Sequence, residues 1–133
     1  MDELDTFILD ALHKNSRVAF LQLAEQCKVT EGTIRHRVKR LQKQGVIQQF
    51  TLRVKSDASC VVEIITAAHI PTNSISQKIK QFGVKQIYEI AGKASIICIL
   101  EGKNLEEIND TVEKIRLLNG VLQTETMPIL KTV

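Results

Sequence analysis

The chain has 133 residues, 44% of them hydrophobic, with a formal net charge of +3. That is enough apolar material for one medium domain or two small ones. No apolar run approaches the ~18 residues of a membrane span, and the acidic, amphipathic N-terminus does not read as a secretory signal.

The first predicted element is a helix that Asp2 caps, with Asp5 in its first turn and Leu4, Ile8, Ala11 and Leu12 on its inner face. A second helix runs from Ala19 to Cys27, with Phe20, Leu23, Ala24 and Cys27 on one side. Lys28 and Val29 leave room only for a tight turn before Thr30, a favourable N-cap residue. Two helices so close in sequence cross sharply, as in a helix-turn-helix. In the third helix Ile34, Val38 and Leu41 make one narrow apolar stripe, and Gly45 ends it.

The rest of that third helix is mostly basic, and its surface suits the DNA major groove. At about 100° per residue, Gly32, His36 and Lys43 point most nearly outward, with Lys39 and Arg40 beside them and Thr33 and Arg35 on the flanks. In a helix-turn-helix the N-terminal turns enter the groove. Thr33, Arg35 and His36 are therefore the expected base readers, with Gly32 allowing close approach and Thr30 and Glu31 opening the surface. Lys39, Arg40 and Lys43 are expected on phosphates. Arg37 is counted among the DNA-binding residues as well, although it lies nearer the buried side, where a structural role is the alternative.

The charge follows this division. Residues 1–55 carry ten Lys and Arg against six Asp and Glu, whereas residues 56–133 carry eight against nine. A locally basic half is the electrostatic footprint of a nucleic-acid-binding module joined to a second unit.

After Ser56 the pattern changes. Residues 60–68 read as a strand. Pro71 and Thr72 punctuate it, and Ile75, Ile79 and Phe82 mark a helix that Gly83 stops. Residues 84–90 read as a strand, Gly92 and Lys93 turn the chain, and residues 94–101 run back. Asn104 with Glu107 resembles a capping box, ahead of an inner stripe of Leu105, Ile108, Val112 and Ile115. Asn119-Gly120 ends that helix, and residues 121–130 form the last strand. The order β-α-β-β-α-β is the ferredoxin-like plan, a four-stranded antiparallel sheet with two helices on one face. The fold class is α+β: a helix-turn-helix domain over residues 1–47, a linker strand over 48–57, and the βαββαβ domain over 58–133.

Residues 94–100 are apolar on both strand faces, and two helices cover only one. The uncovered face is expected either to pair with a second subunit as a two-fold dimer or to be covered by residues 48–55 or the first domain. Cys27, Cys60 and Cys98 are an odd number with no close pair, which fits reduced, buried thiols in a cytoplasmic protein. His13, His36 and His69 are far apart, so no metal site is expected. No cofactor and no catalytic residue are expected either.

A helix-turn-helix followed by β-α-β-β-α-β resembles the Lrp/AsnC (feast/famine) family of transcriptional regulators over essentially the whole chain. The likeness rests on Asp2, Asp5-Thr6-Phe7-Ile8-Leu9, Asn15-Ser16-Arg17, Leu23-Ala24 and the run from Thr30 through Thr33-Ile34, Arg37-Val38, Arg40-Leu41 to Gly45-Val46-Ile47. The resemblance implies double-stranded DNA as partner and dimers formed through the C-terminal sheet, often assembled into tetramers or octamers. It also implies an amino acid or other small-molecule effector between subunits. The family's effector loop usually reads Gly-x-x-Asp. Here it reads Gly92-Lys93-Ala94-Ser95, and a serine cannot supply the carboxylate that pairs with an ammonium. Either the ligand differs or the domain is mainly an assembly module. Siroheme decarboxylases resemble the family in fold, but Tyr88 and three scattered histidines are a poor supply for that chemistry. A helix-turn-helix that contacts protein rather than DNA is the other alternative.

Overall fold

The computed structural model describes residues 1–133, which divide into two compact units, Met1–Arg53 and Val54–Val133.

The first unit holds α1 (Glu3–Lys14), α2 (Phe20–Cys27) and α3 (Glu31–Lys43). Asp2 caps α1 in a full capping box, accepting from the Asp5 backbone N–H at 2.9 Å while Asp5 accepts from the Asp2 N–H at 3.3 Å. A reciprocal pair of this kind satisfies two of the donors that a helix start leaves unpaired. Lys28 closes α2 in the left-handed conformation, φ 56°, and the Val29 N–H returns to the Ala24 carbonyl at 3.0 Å. This is the tight turn of the helix-turn-helix. Thr30 caps α3 through the Thr33 N–H at 3.2 Å. Ile8, Leu12, Leu23, Ala24, Ile34 and Val38 form the core of the unit, with Val29 packed against it. The small Ala24 stands among larger side chains where α2 and α3 converge.

Residues 48–56 hold no strand, and the next regular element starts at Ala58. The linker strand expected over 48–57 therefore does not form in a single chain. A strand needs a partner ladder, and the four strands of the second unit pair only among themselves.

The second unit runs β1 (Ala58–Thr66), α4 (Thr72–Gln81), β2 (Gln86–Glu89), β3 (Ile96–Gly102), α5 (Leu105–Arg116), β4 (Val121–Pro128). The sheet is fully antiparallel in the order β2-β3-β1-β4, the expected ferredoxin-like plan. Asn104 caps α5 by accepting from the Glu107 N–H at 2.8 Å. The Glu107 carboxylate reaches back to the Lys103 N–H at 3.1 Å, one residue before the cap itself. Leu105, expected on the inner stripe, is exposed because it is the first helical residue; burial begins at Ile108 and continues through Val112 and Ile115. Gly120, φ 96°, turns the chain into β4, and a Cβ there would stand 2.8 Å from Ile70 Cδ1. Only glycine satisfies both constraints.

The two faces of β3 separate cleanly. Ile96, Cys98 and Leu100 join Cys60, Val62 and Ile64 of β1 beneath Ile75, Ile79, Ile108, Val112 and Ile115. Ile97 and Ile99 lie on the opposite face, opposite Glu63 and Val61 in register, and are only half-buried. All three cysteines are free. Cys60 and Cys98 are buried and Cys27 is half-buried. Burial pushes the Cys98 thiol up to about 11, so it stays protonated at neutral pH.

Candidate nucleic-acid interface

α3 buries Ile34, Val38 and Leu41 and turns the rest of its surface outward. Gly32, Arg35, His36, Lys39 and Lys43 are exposed, as is Thr30 at the cap, while Glu31 and Thr33 are half-buried. The Thr30 and Thr33 hydroxyls bond each other at 2.9 Å, which holds the opening turn of the helix.

Arg35 is pre-positioned rather than free. Its Nη2 lies 2.5 Å from a Glu31 carboxylate oxygen, and its guanidinium carbon stands 5.6 Å from the centre of the Phe20 ring. A guanidinium over an aromatic face gains a cation–π attraction, and the carboxylate fixes the direction of the fork. α2 and α3 together therefore aim this side chain. Lys39 and Lys43 take no part in any ion pair.

Arg37 and Arg40 differ from the others. Arg37 Nη1 donates to Asp2 Oδ2 at 2.5 Å and to Asp5 Oδ1 at 3.2 Å. Arg40 Nη2 donates to Asp5 Oδ2 at 2.6 Å. The Asp5 carboxylate is almost wholly buried, at 1% exposure. Arg37, counted among the DNA-binding residues, is bound to α1 on the side that its helical angle suggested. Arg40, expected on phosphate, is ion-paired to α1 in the free chain and keeps 39% of its side chain exposed. Nothing local announced this, because the partners lie 35 residues apart in the chain. The available signal was weak: two aspartates spaced i, i+3 on α1 face two arginines spaced i, i+3 beside the apolar stripe of α3.

The Arg37 guanidinium, followed by the Asp5 backbone N–H, holds the Asp2 carboxyl well below the usual range, at about 2. Its bonds to the Asp2 carboxylate and then the Asp5 carboxylate raise Arg37 in turn. A depressed carboxyl contributes stability that is fully present above its unfolded value, near 3.8, and is lost as pH falls through about 2. A carboxyl-carbon NMR titration should therefore place Asp2 near 2. Arg37→Gln should move the midpoint up towards 3.8, the ordinary aspartate value. A midpoint that stays low in the variant would mean that the cap alone sets it.

In the second unit, Gly92, Lys93, Ala94 and Ser95 form the turn into β3. Gly92 has φ 153° and Ala94 is buried, while Lys93 is exposed. Ser95 is committed to the sheet. Its Oγ accepts from the Thr66 hydroxyl at 2.9 Å, its N–H reaches the Ile64 carbonyl at 3.0 Å, and its carbonyl accepts from the Ile90 N–H at 2.9 Å. A cleft of about 450 Å³ lies between α5 and β4, and one of about 290 Å³ between α4 and β2; neither is lined by residues 92–95.

Two family models match the two units in turn. Residues 1–48 match winged helix-turn-helix DNA-binding and residues 59–133 match the Lrp/AsnC ligand binding domain. The chain belongs to the Lrp/AsnC family of transcriptional regulators. It is 37% identical to the HTH-type transcriptional regulator LysM of Sulfurisphaera tokodaii, covering 98% of this chain and 96% of that protein. It is also 37% identical to LysM of Saccharolobus solfataricus, covering 99% and 95%. Among solved structures, LrpC of B. subtilis superposes with a TM-score of 0.83 at 26% identity, covering 100% of this chain and 96% of that one. AsnC of E. coli gives 0.78 at 25%, covering 99% and 93%. The protein is thus a DNA-binding transcriptional regulator built from a helix-turn-helix domain and an Lrp/AsnC ligand-binding domain. These relatives are named as regulators, not enzymes. No helix is long and apolar enough to cross a membrane.

Proposed function

We propose that α3 is the recognition helix of a homodimeric regulator acting in the cytoplasm, without catalytic activity of its own. Arg35 and His36 read base edges, Thr33 and Gly32 lie against the groove, and Lys39 and Lys43 meet phosphates. The observation that carries this reading is the pairing of one buried stripe with an outward surface of exposed Arg35, His36, Lys39 and Lys43. Dimerisation runs through the outer sheet face, where Val61, Ile65, Ile97, Ile99 and Met127 are only half-buried.

Two lysines per subunit give a dimer about four phosphate contacts from α3, and each steepens the log–log salt dependence of DNA affinity by about 0.9. Mobility shifts on a duplex selected by this protein from a random pool should give a slope of about −4 or steeper. The selected site should be roughly palindromic, with half-site centres about 10 bp apart. A slope near zero, or a single unpaired half-site, overturns the reading.

The effector in this reading binds between subunits beside Gly92, Lys93, Ala94 and Ser95. With Ser95 in place of a carboxylate and Lys93 supplying a cation, an acidic or amide ligand suits the turn better than a leucine-like one. A ligand specific to the folded form raises the melting temperature. A panel of amino acids at millimolar concentration should show a shift with acidic or amide members. A clear shift with leucine, lost in Ser95→Lys, overturns that ligand class.

A further inference from the structure

The four groups that join α1 to α3 form a neutral set, with two carboxylates against two guanidiniums. Asp5 sits at its centre. It is 1% exposed and holds Arg37 on one carboxylate oxygen and Arg40 on the other. Arg40 Nε is closed off from solvent and has no hydrogen-bond partner. The Arg40 side chain as a whole is 39% exposed, so Asp5 ties its charge by an ion pair rather than by burial. α3 carries five cations by sequence, yet two answer to α1 and Arg35 answers to Glu31.

The consequence concerns selectivity. Charge on phosphates strengthens binding to every sequence alike, whereas discrimination comes from base contacts and DNA shape. A regulator with all five cations free would gain affinity for bulk DNA without gaining selectivity. Resting on the reading of α3 as the recognition helix, we propose that Asp5, assisted by Asp2, is a positioning residue for DNA recognition. It withholds Arg40 and Arg37 from the phosphates and fixes the seat of α3 on α1, so that the preference for cognate over other DNA depends on it.

The test uses the full chain and two duplexes of equal length, one selected by the protein from a random pool and one scrambled. Three variants are compared with the unmodified protein: D5N, R40Q and D5N/R40Q, each checked for folding by thermal melting. D5N keeps the size of the side chain and releases Arg40. Its binding to the scrambled duplex should tighten by about tenfold, and the slope should steepen by about 0.9 for each bound subunit. The ratio of selected to scrambled binding should fall by a similar factor. D5N/R40Q replaces the ion pair by a neutral one and should return the slope to that of the unmodified protein. An unchanged slope in folded D5N overturns the proposal. So does a slope in D5N/R40Q or R40Q shallower than the unmodified protein's by about 0.9 per subunit, because Arg40 would then already contact phosphate. Where D5N alone does not fold, the double variant decides between these outcomes. The reading of α3 itself fails by a separate result, namely K39Q/K43Q leaving affinity and slope unchanged on both duplexes.

Discussion

Ile96→Lys unfolds the C-terminal unit, whereas its neighbour Ile97→Lys leaves that unit folded and monomeric. Adjacent strand residues point to opposite faces of the sheet. Ile96 is fully buried and stands opposite Ile64 in the core beneath α4 and α5. A lysine there loses the packing of a large side chain and places an unpaired charge in an apolar interior, a loss of more than about 4 kcal/mol. Ile97 is half-buried on the outer face, beside Tyr88 and Glu63 in register, so its ammonium stays hydrated in the free subunit. Across a two-fold interface each subunit would press that charge against the apolar face of the other. Ile97→Lys should therefore sediment as a monomer, keep a cooperative melt, and lose about 100-fold or more in DNA affinity as the second half-site contact is lost. Circular dichroism melting and analytical ultracentrifugation separate the two outcomes. An Ile97→Lys protein that remains dimeric would place the interface elsewhere. Unfolding of both variants would make the outer face a second core.

Arg35→Ala weakens DNA binding at one base position and little elsewhere. The guanidinium is held by Glu31 and stands over Phe20 before any DNA is present, so little side-chain freedom remains to be lost on docking. A pre-aimed fork is suited to the two acceptors that guanine presents in the major groove. The variant should lose about 1–3 kcal/mol against the preferred base. Across the remaining single-base variants of the selected site, its binding should follow that of the unmodified protein. Measuring affinity for every single-base variant, with and without the substitution, gives the comparison directly. Weakening spread evenly over all sequences would make Arg35 a phosphate contact and leave His36 and Thr33 as the readers.

The ion-pair cluster explains why these two arginine positions behave so differently from what charge alone suggests. Arg35 and Arg40 lie on one helix, five residues apart. One is aimed outward from the second helix, and the other is drawn back by the first. The first effect combines Phe20 of α2 with Glu31 of α3 itself, and the second comes from α1.

Elements and their order were legible from local signals. Asp2, Thr30 and Asn104 announce helix starts because their side chains cap at fixed short offsets. Gly83 and Gly120 mark turns because positive φ favours glycine. Ile34, Val38 and Leu41 locate the buried stripe because helical periodicity depends only on spacing. The two-sided apolarity of residues 94–100 likewise revealed that one sheet face lacks a covering helix. What the tertiary structure alone decided involves groups distant in sequence. Helix packing brought the aspartates of α1 to Arg37 and Arg40 and so paired two cations of α3 with α1. Strand register chose Ile96, rather than Ile97, for the core. The Thr66 hydroxyl took up Ser95 across 29 residues of chain. Spacing rules reach about one helical turn or one strand pair, whereas an ion pair or hydrogen bond depends on which surfaces meet, and that is settled only when the cores close.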